Sequence, residues 1–210
     1  KMKSLTLAGL VALAAPPLCA AEFTFVALGD MPYGPREESY APYEALIAEV
    51  NARDPALVIH IGDTKSGSTQ CSDAWLDEQL DFLNSFHSPV LYSLGDNEWT
   101  DCHRARAGGY DPLERLAYLR ETHFADPATS LGGTSAPVES QAAAGYPENA
   151  RMMHQGVMFV TAHVPGSNNN FEPRSLDAVE EFMARAPATV SWLEESFARA
   201  AAEDAAALVV

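Results

Sequence analysis

The chain has 210 residues, 47% of them apolar and 20% charged, with a formal net charge of −16 at pH 7. That length and apolar content suit one globular domain with a full core. So acidic a protein excludes nucleic acid and anionic membranes as general partners, and a small phosphorylated substrate would need a local reversal of the field, such as bound metal supplies.

At the start, Lys1-Met2-Lys3 precedes an apolar run from Leu5 to Leu18, with small residues through Ala21. This layout predicts a secretory signal peptide over residues 1–21. The run is shorter than the ~20 residues a membrane span needs. Residues 22–210 are then the exported protein, periplasmic or extracellular, with no stable membrane insertion after cleavage. Loss of Lys1 and Lys3 brings the charge to −18.

Residues 23–96 read as β-α-β-α-β. Three apolar segments run straight into Gly-Asp: Phe23 to Asp30, Ala56 to Asp63 and Pro89 to Asp96, with the aspartates 33 positions apart. Between the first two, Tyr40, Tyr43, Leu46, Ile47 and Val50 recur at helical spacing. Between the second and third, Trp75, Leu76, Leu80, Leu83 and Phe86 do the same. Ser72 or Asp73 is placed to cap that second helix. Strands alternating with helices imply a parallel sheet, whose strands end on one edge, where open α/β folds bind ligands.

A polar loop, 97–111, leads to a helix from Pro112 to about Phe124, then to an Ala-, Gly-, Ser- and Pro-rich excursion over 126–150. A further strand is predicted over Gly156–His163, entering the amide-rich loop Gly166-Ser-Asn-Asn-Asn170, a possible pocket lining or an ordinary turn. Leu176 to Arg185 is followed by a predicted break at Pro187 and an amphipathic helix from about Val190 to Ala202. The closing run Ala205–Val210 reads as a fifth strand with no turn after it, which predicts a domain incomplete at its C-terminus.

Without the signal, Cys71 and Cys102 remain, an even number in an oxidising compartment. Each lies a few residues past a Gly-Asp corner, so a disulfide tying the two loops is predicted, two free thiols being the alternative.

Three carboxylates brought to one sheet edge repel one another unless a cation sits between them. Phosphoester hydrolysis uses such a centre: two metals about 3.5–4 Å apart neutralise the phosphate oxygens and hold a hydroxide in line with phosphorus. Aspartates on tight glycine turns suit it, because glycine lets the backbone bend sharply.

On these corners the chain resembles the calcineurin-like metallophosphoesterases, whose blocks run Asp-x-His, Gly-Asp, Gly-Asn-His-Asp/Glu, a lone His and Gly-His-x-His. Asp30 matches the first block, Gly62-Asp63 the second, whose Asp bridges the metals, and Gly95-Asp96-Asn97-Glu98 the third. The matches sit in residues 29–98. The resemblance implies an α/β, layered β-sandwich with flanking helices over 22–210. It implies two divalent metal ions (Mn, Fe or Zn) on Asp30, Asp63 and Asp96, and an exported hydrolase cleaving a small phosphate ester through a metal-bound hydroxide.

The departures are also specific. Pro32 stands where the first block has His, Asp96 where the third has its metal-binding Asn, and Asn97 at the position of the catalytic His. An amide cannot serve as a general acid at neutral pH, though it can hydrogen-bond a phosphate. A one-residue slip would make Asn97 a ligand instead. Lys65, His103 and His163 are the candidate substrate contacts, Tyr33 a candidate hydroxyl near the first metal, and Glu98 a structural acceptor. The last two blocks are not matched, so these residues carry the carboxylate half of a centre and predict little or no turnover alone. The alternative is a non-catalytic secreted binding protein on a degenerate phosphoesterase scaffold.

Overall fold

The structure, a computed structural model, describes residues 22–210; the predicted signal peptide lies outside them. No helix among the described residues is long and apolar enough to cross a membrane. The chain is mixed α/β, with two sheets and several helices.

The predicted β-α-β-α-β unit is present. Strands β1 (Phe25–Leu28), β2 (Leu57–His60) and β3 (Val90–Tyr92) form a parallel sheet in that order. Phe25 lies opposite Leu57, and Val58 opposite Val90. Helix α1 (Arg36–Arg53) buries Tyr43, Ile47 and Val50, the face its apolar spacing foretold. Helix α2 (Asp73–Ser85) is capped by Ser72, whose hydroxyl accepts from the Trp75 N–H, and buries Leu76, Gln79 and Leu83. Helix α3 (Pro112–Thr122) starts on Asp111, which accepts from the N–H groups of Leu113 and Glu114 at 2.8 and 2.9 Å, with proline in the first turn. Leu76, Leu83, Phe86, Val58, Val90, Trp99 and Leu119 share one apolar core.

The region 126–150 is not simply an excursion. It contains β4 (Glu139–Gln141) and most of β5 (Tyr146–His154), which pair antiparallel. A two-residue turn, Gln155-Gly156, with φ of 46° and 81°, joins β5 to β6 (Val157–Val160). Two positive φ values in succession match the right-handed twist of a tight hairpin. Strand β7 (Ala207–Val209) then pairs parallel with β6, giving the order β4-β5-β6-β7. The predicted break at Pro187 is absent: one helix runs from Leu176 to Ala202 with Pro187 inside it. Pro187 and Met183, whose carbonyl it leaves without a helix partner, both lie on the exposed side. The buried face (Arg185, Thr189, Trp192, Ser196, Ala200) packs without interruption.

Leu57 and Leu91 of the first sheet and Phe159 of the second belong to one apolar cluster, which joins the two sheets. The predicted disulfide is formed between Cys71 and Cys102, with Cα atoms 5.7 Å apart. It closes the loop after β2 onto the loop after β3.

Candidate functional site

The three Gly-Asp corners lie at the ends of parallel β1, β2 and β3 and touch one another. The Asp30 N–H donates to the Gly62 carbonyl at 3.1 Å. A Cβ at Gly62 would stand 2.2 Å from the Gly95 nitrogen, and one at Gly95 would stand 2.1 Å from Asp63 Oδ1. Gly62 also has φ of +88°, so close approach and a left-handed backbone both require glycine there. Asp30 and Asp63 adopt φ of 59° and 54°, a region aspartate tolerates better than most residues. His60, wholly buried, accepts from the Gly62 N–H through Nδ1, and burial depresses its pKa to about 4, so it stays neutral.

Asp63 is the centre of the cluster. Its Oδ1 accepts from the Asn97 N–H at 3.2 Å, and its Oδ2 from the Tyr33 hydroxyl at 3.1 Å. Tyr33 Oη also lies 3.3 Å from Asp30 Oδ1 and accepts from Asn97 Nδ2 at 2.8 Å. One phenol thus links the first two corners to the third. Burial pushes the Asp63 carboxyl up to about 6; the charge of Asp96 adds to this, and the Asn97 N–H opposes it. The Tyr33 phenol is raised too, by burial and then by Asp63.

Glu98 lies beneath. Its Oε1 accepts from the Thr64 N–H at 2.8 Å and the Tyr92 hydroxyl at 3.0 Å, while Oε2 has no partner. Burial and then the Asp63 charge raise it to about 7. This is the structural acceptor that its place in the corner predicted. Sulfur atoms of the disulfide pack on the Asn97 carbonyl, 3.7 and 3.8 Å away, which fastens this corner to both loops.

Two predicted substrate contacts are displaced from the site, and a third stands apart from it. Lys65 is wholly buried, its Nζ donating to the Ser66 and Thr69 carbonyls at 3.3 and 3.1 Å. Burial lowers it to about 8 against the pull of Glu98, Asp101 and Asp63. It is a buried countercharge to the acidic cluster. His163 is also wholly buried: it lies past the end of β6, does not line the cleft that Ala162 and Val164 border, and its Nδ1 meets Glu148 Oε1 at 2.9 Å. Burial pushes the pKa of its imidazole down, against the pull of Glu148. His103 is exposed, with Nδ1 2.6 Å from the Thr100 carbonyl, and borders a separate cleft with Arg104, Ser167 and Glu172.

Sequence reading missed Asp101 and the role of Ser167. Ser167 Oγ lies 2.7 Å from Asp96 Oδ2 and 2.8 Å from Asp101 Oδ1. Asp101 in turn pairs with Arg104 at 2.6 Å. The only local signal was the run Ser167-Asn-Asn-Asn170, whose asparagines tolerate left-handed backbone.

Asp30, Asp63 and Asp96 border a cleft of about 680 Å³ whose walls are mainly apolar, including Phe25, Ile61, Leu91, Val164, Leu193 and Val210. Among the described residues, no group of three or more His, Cys, Asp or Glu side chains gathers tightly enough to hold a metal ion. The donor set itself is all oxygen, and the charge of Asp96 disfavours the ionised form of Asp63. A hard divalent cation suits such donors and would relieve that repulsion. No family model, curated protein or solved structure matches this chain.

Proposed function

We propose that this chain carries the carboxylate side of a metal-dependent phosphoesterase centre, built on the layered α/β sandwich of the calcineurin-like family in an exported protein. The observation that carries the reading is the contact among the three Gly-Asp corners, with the Asp63 carboxyl between Asp96 and Tyr33. Asp30, Asp63 and Asp96 would hold the metal. Divalent ions there would neutralise the oxygens of a phosphate ester and activate water.

The chain's own residues prepare that place. Tyr33 and Asn97 hold the carboxylates of the first two corners in register by hydrogen bonds. Lys65 supplies a positive charge beneath Glu98, Asp63 and Asp101 without reaching the cleft. The apolar walls exclude water from one side of the cleft, where the non-phosphate part of a substrate would lie. Asn97 Nδ2 gives one of its two protons to Tyr33 and has a second to offer a phosphate oxygen, but it cannot protonate a leaving group.

A binding protein on the same scaffold is the second reading. It is favoured by the placement of His60 and His163, both buried and engaged away from the carboxylates. Manganese binding that Asp63→Asn abolishes supports the centre in either case. Turnover of p-nitrophenyl phosphate, however weak, that requires both Mn²⁺ and Asp63 selects the enzyme. Binding without turnover is the outcome both readings predict for residues that carry only the carboxylate half of a centre, so turnover is the result that separates them. Equal manganese binding by the wild type and Asp63→Asn rejects both.

A further inference from the structure

The turn that follows β6 has an unusual backbone. Ser167, Asn168, Asn169 and Asn170 have successive φ values of 48°, 58°, 56° and 62°. L-residues other than glycine enter this region singly and at a cost, and here four do so in a row. Ser167 and Asn168 are exposed, so burial of their side chains does not offset it. Strain of this kind persists where the surroundings enforce it, and it concentrates at functional sites.

The enforcement comes from the long helix. Arg185, wholly buried, donates from Nη1 to Asn169 Oδ1 at 2.7 Å and to the His163 carbonyl at 2.9 Å, and from Nη2 to the Asn169 carbonyl at 3.0 Å. Its charge is matched by Glu181 at 2.5 Å, and Glu181 also accepts from Asn170 Nδ2 at 2.9 Å. The guanidinium lies over the Trp99 ring, 5.6 Å from its centre. One buried ion pair thus grips both sides of the turn.

What the turn delivers is the Ser167 hydroxyl, set between Asp96 Oδ2 and Asp101 Oδ1. A hydroxyl has one proton and two lone pairs, so Ser167 donates to one of these carboxylates at a time. Gly166 completes the fit, since a Cβ there would stand 2.5 Å from Asp96 Oδ2. The other two corners have a phenol shared between them; the third has this serine.

We propose that Ser167 is a positioning residue for Asp96, and that the Arg185–Asn169 clamp on the left-handed turn holds it there. The proposal rests on the reading of Asp96 as a metal-holding carboxylate. Groups that orient ligating carboxylates typically change metal affinity by 10–100-fold when removed.

Ser167→Gly separates positioning from packing, because glycine relaxes the backbone while removing the hydroxyl. The variant is expected to melt at or above the wild-type temperature, yet to bind Mn²⁺ about tenfold more weakly by calorimetric titration. Asn169→Gly, which removes one acceptor of the clamp, is expected to weaken Mn²⁺ binding in the same direction. A lower melting temperature with unchanged Mn²⁺ affinity would make Ser167 a merely structural residue and overturn the proposal. Asp63→Asn is the control for the underlying reading: if it binds Mn²⁺ as the wild type does, the metal centre itself is wrong. The serine–aspartate link then stands or falls on metal-free melts of Ser167→Gly, Asp96→Asn and the double variant. Departure from additivity by about 2–4 °C supports the link, and additive shifts reject it.

Discussion

Around β1, β2 and β3 the main cluster is apolar, with Leu76, Leu83, Phe86, Val58 and Val90 in it and buried polar groups such as His60, Gln79 and Glu98 beside it. Around β5 and β6 the interior is ionic. Glu148, wholly buried, accepts from Arg120 at 2.5 Å and faces His163; Arg151 joins Glu139 at 2.5 Å and Ser196 at 3.1 Å; Asn149 bridges Gln141 and the His163 N–H. The apolar cluster on this side is small, centred on Met158, Val160 and Trp192. The first region is stabilised by area removed from water. The second depends on complete pairing, because an unmatched buried charge costs more than a pair contributes. Both lead to the same cleft: the first supplies its carboxylates, the second the turn that touches Asp96.

Truncation should separate the two chemistries. Glu148→Ala leaves His163 and part of Arg120 without their acceptor and should cost about 3–5 kcal/mol in urea unfolding. Burial would raise the Glu148 carboxyl, but hydrogen bonds from His163 and Arg120 and the Arg120 charge hold it down to about 2. Glu148→Gln keeps the shape and an acceptor, so it should recover a large part of the loss. Leu83→Ala in the first region should cost about 2–5 kcal/mol through lost burial and a cavity, and no polar replacement should recover it. If Glu148→Gln is as damaging as Glu148→Ala, pairing is not what stabilises the second region.

Acid should expose a weakness of the apolar region. Burial holds His123 at a pKa of about 4, well below its ordinary value. The unfolded chain therefore binds the proton more readily between about pH 6.5 and 4. The stability that neutral His123 provides is complete above about 6.5 and is lost as pH falls through that window, by about 3 kcal/mol at most. His123→Gln should flatten this part of the stability profile; an unchanged slope would mean that His123 does not titrate on unfolding.

The same contrast explains what the sequence disclosed. In 23–96, helical spacing, apolar runs and Gly-Asp corners agree, so the strand and helix order was legible, as were the disulfide and the meeting of Asp30, Asp63 and Asp96 at one edge. In Tyr146-Pro-Glu-Asn-Ala-Arg-Met-Met-His154 the buried positions are Glu, Asn, Ala and Arg, a pattern that reads as loop until the partners are known. Two of those partners, Arg120 and Ser196, lie far along the chain, and Gln141 belongs to the neighbouring strand β4. Pro187 was misleading because propensity is weak where a continuous face is packed. Lys65 was placed at the site by its nearness to Asp63, and His163 by its position at the end of a predicted strand. The carbonyls of Ser66 and Thr69 in one case, and Glu148 in the other, set their direction. Ser167 reaches Asp96 across 71 positions, which no local pattern encodes.

The smallest of these effects is also the most informative. Burial and Asp96 hold the Asp63 carboxyl at about 6 in the folded chain, against about 3.9 unfolded. The folded state binds that proton more tightly, so the contribution of Asp63 to stability is greatest below about pH 4 and falls as pH rises through 6. Without metal, Asp63→Asn should therefore be more stable than the wild type at pH 8, by about 1–2 kcal/mol once partial exposure is discounted, and no different near pH 4. Saturating Mn²⁺ at pH 8 should reverse that order, raising the melting temperature of the wild type above that of Asp63→Asn. If Mn²⁺ leaves both melting temperatures unchanged, or raises them equally, the gathered carboxylates are not a metal centre.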